Sequence, residues 1–300
     1  METPSQPARV SIVIPSYNSR RTIDLCLDAL KTAAARPGVE VILVDSSTDG
    51  TDARVRERYP FVRVIHLDKQ TWPGPGRNIG AKAAAGALLA FTDTDCVVAP
   101  DWADAILESF ARHPEQDACV GIVRNHNPRG AVSWGSFLTE FNGYLGGARR
   151  PTRHLPSFST AFRRAAFEKA GGFPEDVAWL EDMILTEALL RMGAKLYVEP
   201  AIRIAHHNRD RLREFLRHQY HLGRFFAHSR FRGNLPGSRV LRATAFSIPA
   251  LAAWRALRAF ERTFRARPAW GLLLLLLSPL YLAGMIAWMA GVRLGRKDCA

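Results

Sequence analysis

The 300 residues hold four cysteines, Cys26, Cys96, Cys119 and Cys299, scattered without paired spacing. That excludes a disulfide framework and a zinc motif, and reads as free or buried thiols in a reducing compartment. No repeat with a period of about 20 to 50 residues is visible, which argues against a solenoid or propeller. The polar, proline-bearing start over residues 1–8 lacks a basic stretch followed by an apolar core. No signal peptide is read there, so the first domain is expected to stay in the cytosol. The first strand candidate is not followed by Gly-x-Gly-x-x-Gly, which argues against an NAD enzyme.

Acidic residues thin out late in the chain. Residues 1–202 carry 23 Lys and Arg against 24 Asp and Glu, whereas 203–267 carry 15 against 3. The overall net charge of +13 is thus a local feature. A nucleic-acid binder can carry such a cluster, but this one stands just before an apolar segment, which suits anionic lipid headgroups better. No nucleic-acid partner is expected. Residues 268–292 have no charged side chain. That length can cross a hydrocarbon core needing roughly 20 residues. Trp270, Tyr281 and Trp288 supply aromatic anchors, while Pro279 is placed to bend the segment. A single span and a re-entrant hairpin both stay open. The apolar stretch 243–254 is short for a span and runs into Arg255, Arg258, Arg262 and Arg265. It predicts an interfacial helix over 240–265. The arginines before Pro268 outnumber the basic residues of the tail 293–300, which predicts the first domain on the cytosolic side of the inner membrane.

The first hundred residues alternate in pattern. Strands are predicted over 10–14, 39–44, 62–67 and 88–92, with helices over 20–35, 49–59 and 78–87. This predicts an α/β layer architecture with a mostly parallel sheet flanked by helices. Ligands bind beyond the carboxyl ends of such strands. Three polar clusters fall there: Pro15, Ser16, Tyr17 and Asn18; Asp45, Ser46 and Ser47; Asp93, Thr94 and Asp95. Further strands are expected over 118–123, 158–162, 195–198 and 202–206, and helices over 100–113, 132–145, 164–170, 180–192 and 211–228.

Asp93 and Asp95 flank one residue at a strand end. In extended geometry both carboxylates face one way and make a hard-oxygen site suited to Mg²⁺ or Mn²⁺. A solvated turn is the plainer reading of such a triplet, and the flanking strand and neighbouring clusters weigh against it. Asp45 suits a nucleobase N–H, or stands beside an N-cap for the following helix. Gly74, Gly76, Arg77 and Asn78 precede a helix. Glycines permit close approach, and helix-start N–H groups suit a diphosphate.

Residues 10–18, 44–51, 74–81 and 91–95 together resemble the family 2 glycosyltransferases of the GT-A fold, over roughly 9–227. The resemblance implies that Pro15, Tyr17 and Asp45 line a nucleoside pocket, with Asn18, Ser46, Gly76, Asn78 and Thr94 in the same donor site. It puts Arg77 near the base or phosphates, and Asp93 and Asp95 toward the ribose and a metal-bound diphosphate. Glu181 and Asp182 match the family's acidic pair, with Asp182 carried over as catalytic base. His206 is implied as a further metal ligand. Gln219 and Arg224 fall where processive relatives carry Gln-x-x-Arg-Trp. The Trp is missing and the Arg displaced, which argues against a processive synthase and leaves contacts to a diphosphate or lipid phosphate.

The expected division is a tail over 1–8, a GT-A domain over 9–230 with halves 9–99 and 100–230, a basic linker over 231–267, a membrane helix over 268–292 and a basic tail. The expected activity is inverting transfer from a nucleotide sugar, UDP-linked by the family's habit, to a lipid-linked or glycan hydroxyl. A nucleotidyltransferase lacks its basic phosphate loop here, since Pro15 to Ser19 contains neither glycine nor lysine. A non-catalytic membrane adaptor is opposed by the intact acids.

Overall fold

A computed structural model describes residues 9–232, 235, 238 and 247–298. The tail 1–8, Cys299 and residues 240–246 of the expected interfacial helix lie outside the described residues. In chain order the elements are β1 Val10–Ser16, α1 Ile23–Ala34, β2 Val39–Asp45, α2 Thr51–Arg58, β3 Val62–His66, α3 Pro73–Ala83, β4 Leu88–Thr92, β5 Cys96–Val98, α4 Trp102–Arg112, β6 Ala118–Asn125, α5 Ala131–Phe141, β7 Arg150–Pro151, β8 Ser159–Arg163, α6 Arg164–Lys169, α7 Glu181–Arg191, β9 Leu196–His206 and α8 Leu212–Arg232. Three more helices follow: α9 Ser247–Ala266, α10 Pro268–Leu276 and α11 Ser278–Lys297. They fall into two compact units, Met1–Ile122 with Ala148–Ala205, and Val123–Gly147 with His206–Ala300.

The first unit holds the α/β sheet, with strand order β3-β2-β1-β4-β8-β6-β9-β5 among the described residues and β7 beside β9. Strands β3, β2, β1 and β4 run parallel; β8 then pairs antiparallel with both β4 and β6. The sheet is therefore mixed. β1 and β4 are apolar and buried almost throughout, as strands covered on both faces must be. α1 lays Ile23, Cys26, Leu27 and Leu30 inward at helical spacing. α3 lies so close to the sheet at Gly80 that a Cβ there would overlap the Val13 side chain.

Three local expectations are corrected. The stretch 73–77, expected as a loop before a helix at 78, is itself the first part of α3, because Pro73 at the helix start sacrifices only an N–H that has no partner there anyway. The strands expected over 195–198 and 202–206 are one strand, β9, running through Pro200. Pro200 has no N–H to give the ladder, and the Glu199 carboxylate takes the next amide, Ala201, at 3.2 Å. Asp93 to Asp95 does not continue β4: the Cys96 N–H donates to the Asp93 carbonyl at 3.1 Å, closing a turn into β5.

The second unit is helical. α11 runs alongside α8 in the same direction, with Gly284 against Phe215, Gly291 against the Tyr220 carbonyl and Gly295 against the Arg224 backbone; Gly223 reciprocates against Trp288. A side chain at any of these glycines would collide with its neighbour. Phe137, Phe215, Tyr281, Met285 and Trp288 are buried in this unit. The uncharged segment 268–292 is two helices, α10 and α11, bent by 73° at Leu277. Among the described residues no single helix is long and apolar enough to cross a membrane; the bent pair meets that test together, by length and composition.

Candidate active site

β1, β2 and β3 end side by side, with Ser16 paired to Asp45 and Asp45 to His66 in register. The loops beyond them border an open cleft of about 590 Å³, its mouth included. Pro15, Tyr17, Ser46, Trp72, Gly76 and Trp179 are among its walls. Tyr17 and Trp72 are more than two-fifths exposed, an arrangement suited to a flat, partly polar ligand.

Asp45 does not line this cleft. It is fully buried, and Ser47 Oγ donates to its Oδ1 at 2.6 Å while His66 Nδ1 stands 3.1 Å from Oδ2. Asn18 has φ of 51°, a left-handed conformation that asparagine tolerates. Its N–H donates to Ser47 Oγ at 2.7 Å and its Oδ1 accepts from the Thr48 N–H at 3.0 Å. Asn18 thus ties the first loop to the second. Asn78 is spent likewise: its amide group bonds the Phe173 backbone in both directions, at 2.8 and 2.9 Å. The start of α3 is poorer in donors than expected. Pro73 and Pro75 have no N–H, that of Gly76 donates to the Trp72 carbonyl at 3.0 Å, and Gly74 is buried against Glu181 and the Pro174 carbonyl.

Arg77, expected near base or phosphates, is held by the acids of the site. It is 2% exposed, and its two terminal nitrogens donate to Asp93 Oδ1 and Glu181 Oε1, each at 2.5 Å. Burial opposes its charge, but Asp93 and Glu181 outweigh that and raise its pKa. The two acidic clusters, 88 residues apart in sequence, therefore share one cation. Thr94 Oγ1 donates to Ser19 Oγ at 3.1 Å, fastening the same turn to the β1 loop. Asp95 lies beside the buried Cys96, whose Sγ is 3.8 Å from its carboxylate.

Glu181 and Asp182 open α7, directly after Leu180, whose φ of 60° is a left-handed conformation costly for a branched side chain. Burial pushes both carboxyls up, and Arg77 pulls them only part of the way back. Asp182 differs from its neighbour in having a buried oxygen, Oδ1, with no hydrogen-bond partner in the structure. Backbone hydrogen bonds from Met183 and Ser157 also favour the charged form of the Asp182 carboxyl, yet burial outweighs them. His154 Nε2 stands 3.8 Å from the other oxygen.

The remaining candidates belong to the second unit. His206 closes β9, buried, with Nδ1 3.1 Å from Asn208 Oδ1 and its ring against Phe141. Gln219 Nε2 donates to Glu140 at 3.2 Å, and Arg224 pairs with Asp298 at 2.8 Å. Burial alone would raise Glu140, but His218 and Arg209 more than reverse it.

Trp72, His66 and His154 were not singled out from the sequence. His66 was accessible to the strand-end rule, since β3 terminates on it. Trp72 and His154 carried no such signal.

The family model for glycosyl transferase family 2 matches residues 11–171. Among curated proteins, the chain is 26% identical over 229 residues to a pre-mycofactocin glycosyltransferase of Mycobacterium tuberculosis, covering 71% of this chain and 46% of that one. It is 31% identical over 222 residues to the succinoglycan biosynthesis protein ExoO of Rhizobium meliloti, covering 67% and 61%. The chain thus spans about half to three-fifths of the length of these relatives. Among solved structures it resembles the mannosyltransferase PcManGT from Pyrobaculum calidifontis, in complex with GDP-Man and Mn²⁺, at 23% identity and a TM-score of 0.63, over 98% of this chain and 90% of that one. S. aureus TarS 1-349 in complex with UDP-GlcNAc follows at 18% and 0.55, over 97% and 92%. These likenesses establish the GT-A fold.

Proposed function

The chain belongs to glycosyl transferase family 2, and we propose that it moves a sugar, with inversion, from a nucleoside-diphosphate sugar to a hydroxyl of a lipid-linked or membrane-proximal glycan acceptor at the inner membrane. The observation carrying this reading is the buried, unpartnered Oδ1 of Asp182 beside the Arg77-bridged acids. An acceptor hydroxyl must lose its proton as it attacks the anomeric carbon, and a raised, open carboxylate is the group to take it. Glu181, held by Arg77, keeps α7 and the neighbouring Asp182 in place. One base and one displacement give inversion.

The cleft walled by Pro15, Tyr17, Ser46, Trp72 and Trp179 would hold the nucleoside, with the aromatic rings against the base. Asp45 would act from beneath through its Ser47 and His66 partners. Asp95, with Asp93 in the same strand-end turn, offers hard carboxylate oxygens that would suit Mg²⁺ or Mn²⁺. When bound, such an ion neutralises charge on the leaving diphosphate. The GDP-Man and UDP-GlcNAc found with the two solved relatives define the donors to try first. The test is donor turnover by purified protein across UDP- and GDP-sugars with Mn²⁺ or Mg²⁺. The reading requires a donor consumed by the wild type and spared by Asp182→Asn. Unchanged turnover in Asp182→Asn would remove the base, and undiminished turnover after chelation would remove the metal.

A further inference from the structure

We propose that α9, α10 and α11 seat the protein in one leaflet of an anionic bilayer, lying in the membrane plane without crossing it. The inference extends the membrane part of the function proposed above.

Among the described residues, eight of the twelve large apolar side chains that stand exposed lie on these three helices. They include Trp254, Leu257, Leu272, Leu276, Leu282 and Ile286, with Leu276 79% and Ile286 63% exposed. On each helix they recur at spacings of three or four, so one outward stripe is apolar. The opposite stripe of α11, with Gly284, Trp288 and Gly291, is buried. A solvated helix has the reverse arrangement. Exposure of this extent calls for a partner, and the flanks indicate which. Arg262, Arg265 and Arg267 stand exposed just before α10, and Arg293 and Lys297 stand exposed near the end of α11. Cations at both ends of an uncharged, leucine-rich elbow complement lipid phosphates on one side of the acyl region.

Dimensions and packing argue against a span. The nine residues of α10 are about 13 Å long and the uncharged part of α11 about 22 Å, against a hydrocarbon core of roughly 30 Å. The two helices are bent by 73°. More decisively, α11 is fastened along α8 through its glycines. α8 carries Arg213, Glu214, Arg217 and Arg224. Driving α11 across the bilayer would drag those charges into hydrocarbon. With α11 in the interface plane, α8 stays in water behind it.

The full-length chain, tagged at both ends, is floated with phosphatidylcholine vesicles with or without phosphatidylglycerol. Flotation is expected with the anionic vesicles, weakened by salt. The double variant Leu276→Asp/Ile286→Asp should cut the floated fraction at least tenfold, while Met192→Asp, an exposed apolar position in the first unit, should not. Arg265→Gln/Arg267→Gln should lower only the preference for anionic lipid, by about fivefold per arginine. Donor hydrolysis without vesicles and far-ultraviolet circular dichroism, read on every variant, separate failure of this proposal from loss of the catalytic site or of the fold. In sealed membranes the two tags should be cleaved by protease from the same side. Tags on opposite sides, flotation unaffected in Leu276→Asp/Ile286→Asp, or a lipid-free dimer that this variant splits would each overturn the proposal, the last by making a second copy the occupant.

Discussion

Arg77 holds three carboxylates of the site in one electrostatic unit. Removing one member of a buried ion network strands the others, at a cost of about 3–5 kcal/mol. Arg77→Met is therefore expected to lower unfolding free energy in urea by about that amount at pH 7.5, with part recovered at pH 5 as the stranded acids take up protons. Asp182 is expected to behave in the opposite sense. Folding raises the Glu181 and Asp182 carboxyls, so the folded chain holds those protons more tightly than the unfolded chain. Their effect on stability is unfavourable above about pH 7 and is relieved as the pH falls toward the values of free carboxylates. Asp24, which a hydrogen bond from Arg54 holds low, contributes with the other sign and weakens as the pH falls. Asp182→Asn should thus raise the melting temperature at neutral pH while cutting sugar transfer roughly a hundredfold to ten-thousandfold. The wild-type rate should fall on the acid side with an apparent pKa of about 6, and Glu181→Gln, which removes a neighbouring negative charge, should move that limb downward.

At the level of elements, the close contact of α3 with β1 makes Gly80 a sensitive position. Gly80→Val would force the helix off the sheet, with an expected loss of about 1–3 kcal/mol and weaker donor binding by calorimetry, because Gly76 of the same helix lines the cleft. Most elements were legible from periodicity, since β1, β2, β4 and α4 carry strong apolar patterns with clear breakers. The misreadings share a cause. Pro73, Gly74, Pro75 and Gly76 look like a loop because local propensity favours one, yet packing against Pro15 and Glu181 makes them a helix start. Asp93 and Asp95 looked like one forked carboxylate site, but the turn and Arg77 give them different surroundings. Which residues a pattern places near a site was readable. Which of them another side chain already holds, as with Arg77 and Asn78, depends on partners about a hundred residues away.

For the molecule as a whole, the division into two units was not legible, because the second is assembled from a 25-residue stretch and a distant C-terminal one. Truncation before α10 is the natural way to seek a simpler catalytic fragment. It would strip α11 from α8 and uncover Phe215 and the glycine faces, so the shortened chain is expected to elute as aggregate in size exclusion. The sheet order has a consequence during synthesis. β4, whose five residues are all buried, waits for β8 as its second neighbour, and Thr92 waits 66 residues for the Phe158 carbonyl, just before β8, to which its hydroxyl donates. At roughly 5–20 residues per second the ribosome needs about 3–13 seconds to supply them. Through that interval the newborn chain presents an apolar strand with one open edge, the form most prone to pair with another chain. Crowding of nascent chains on one message would then lower how much of this protein is recovered.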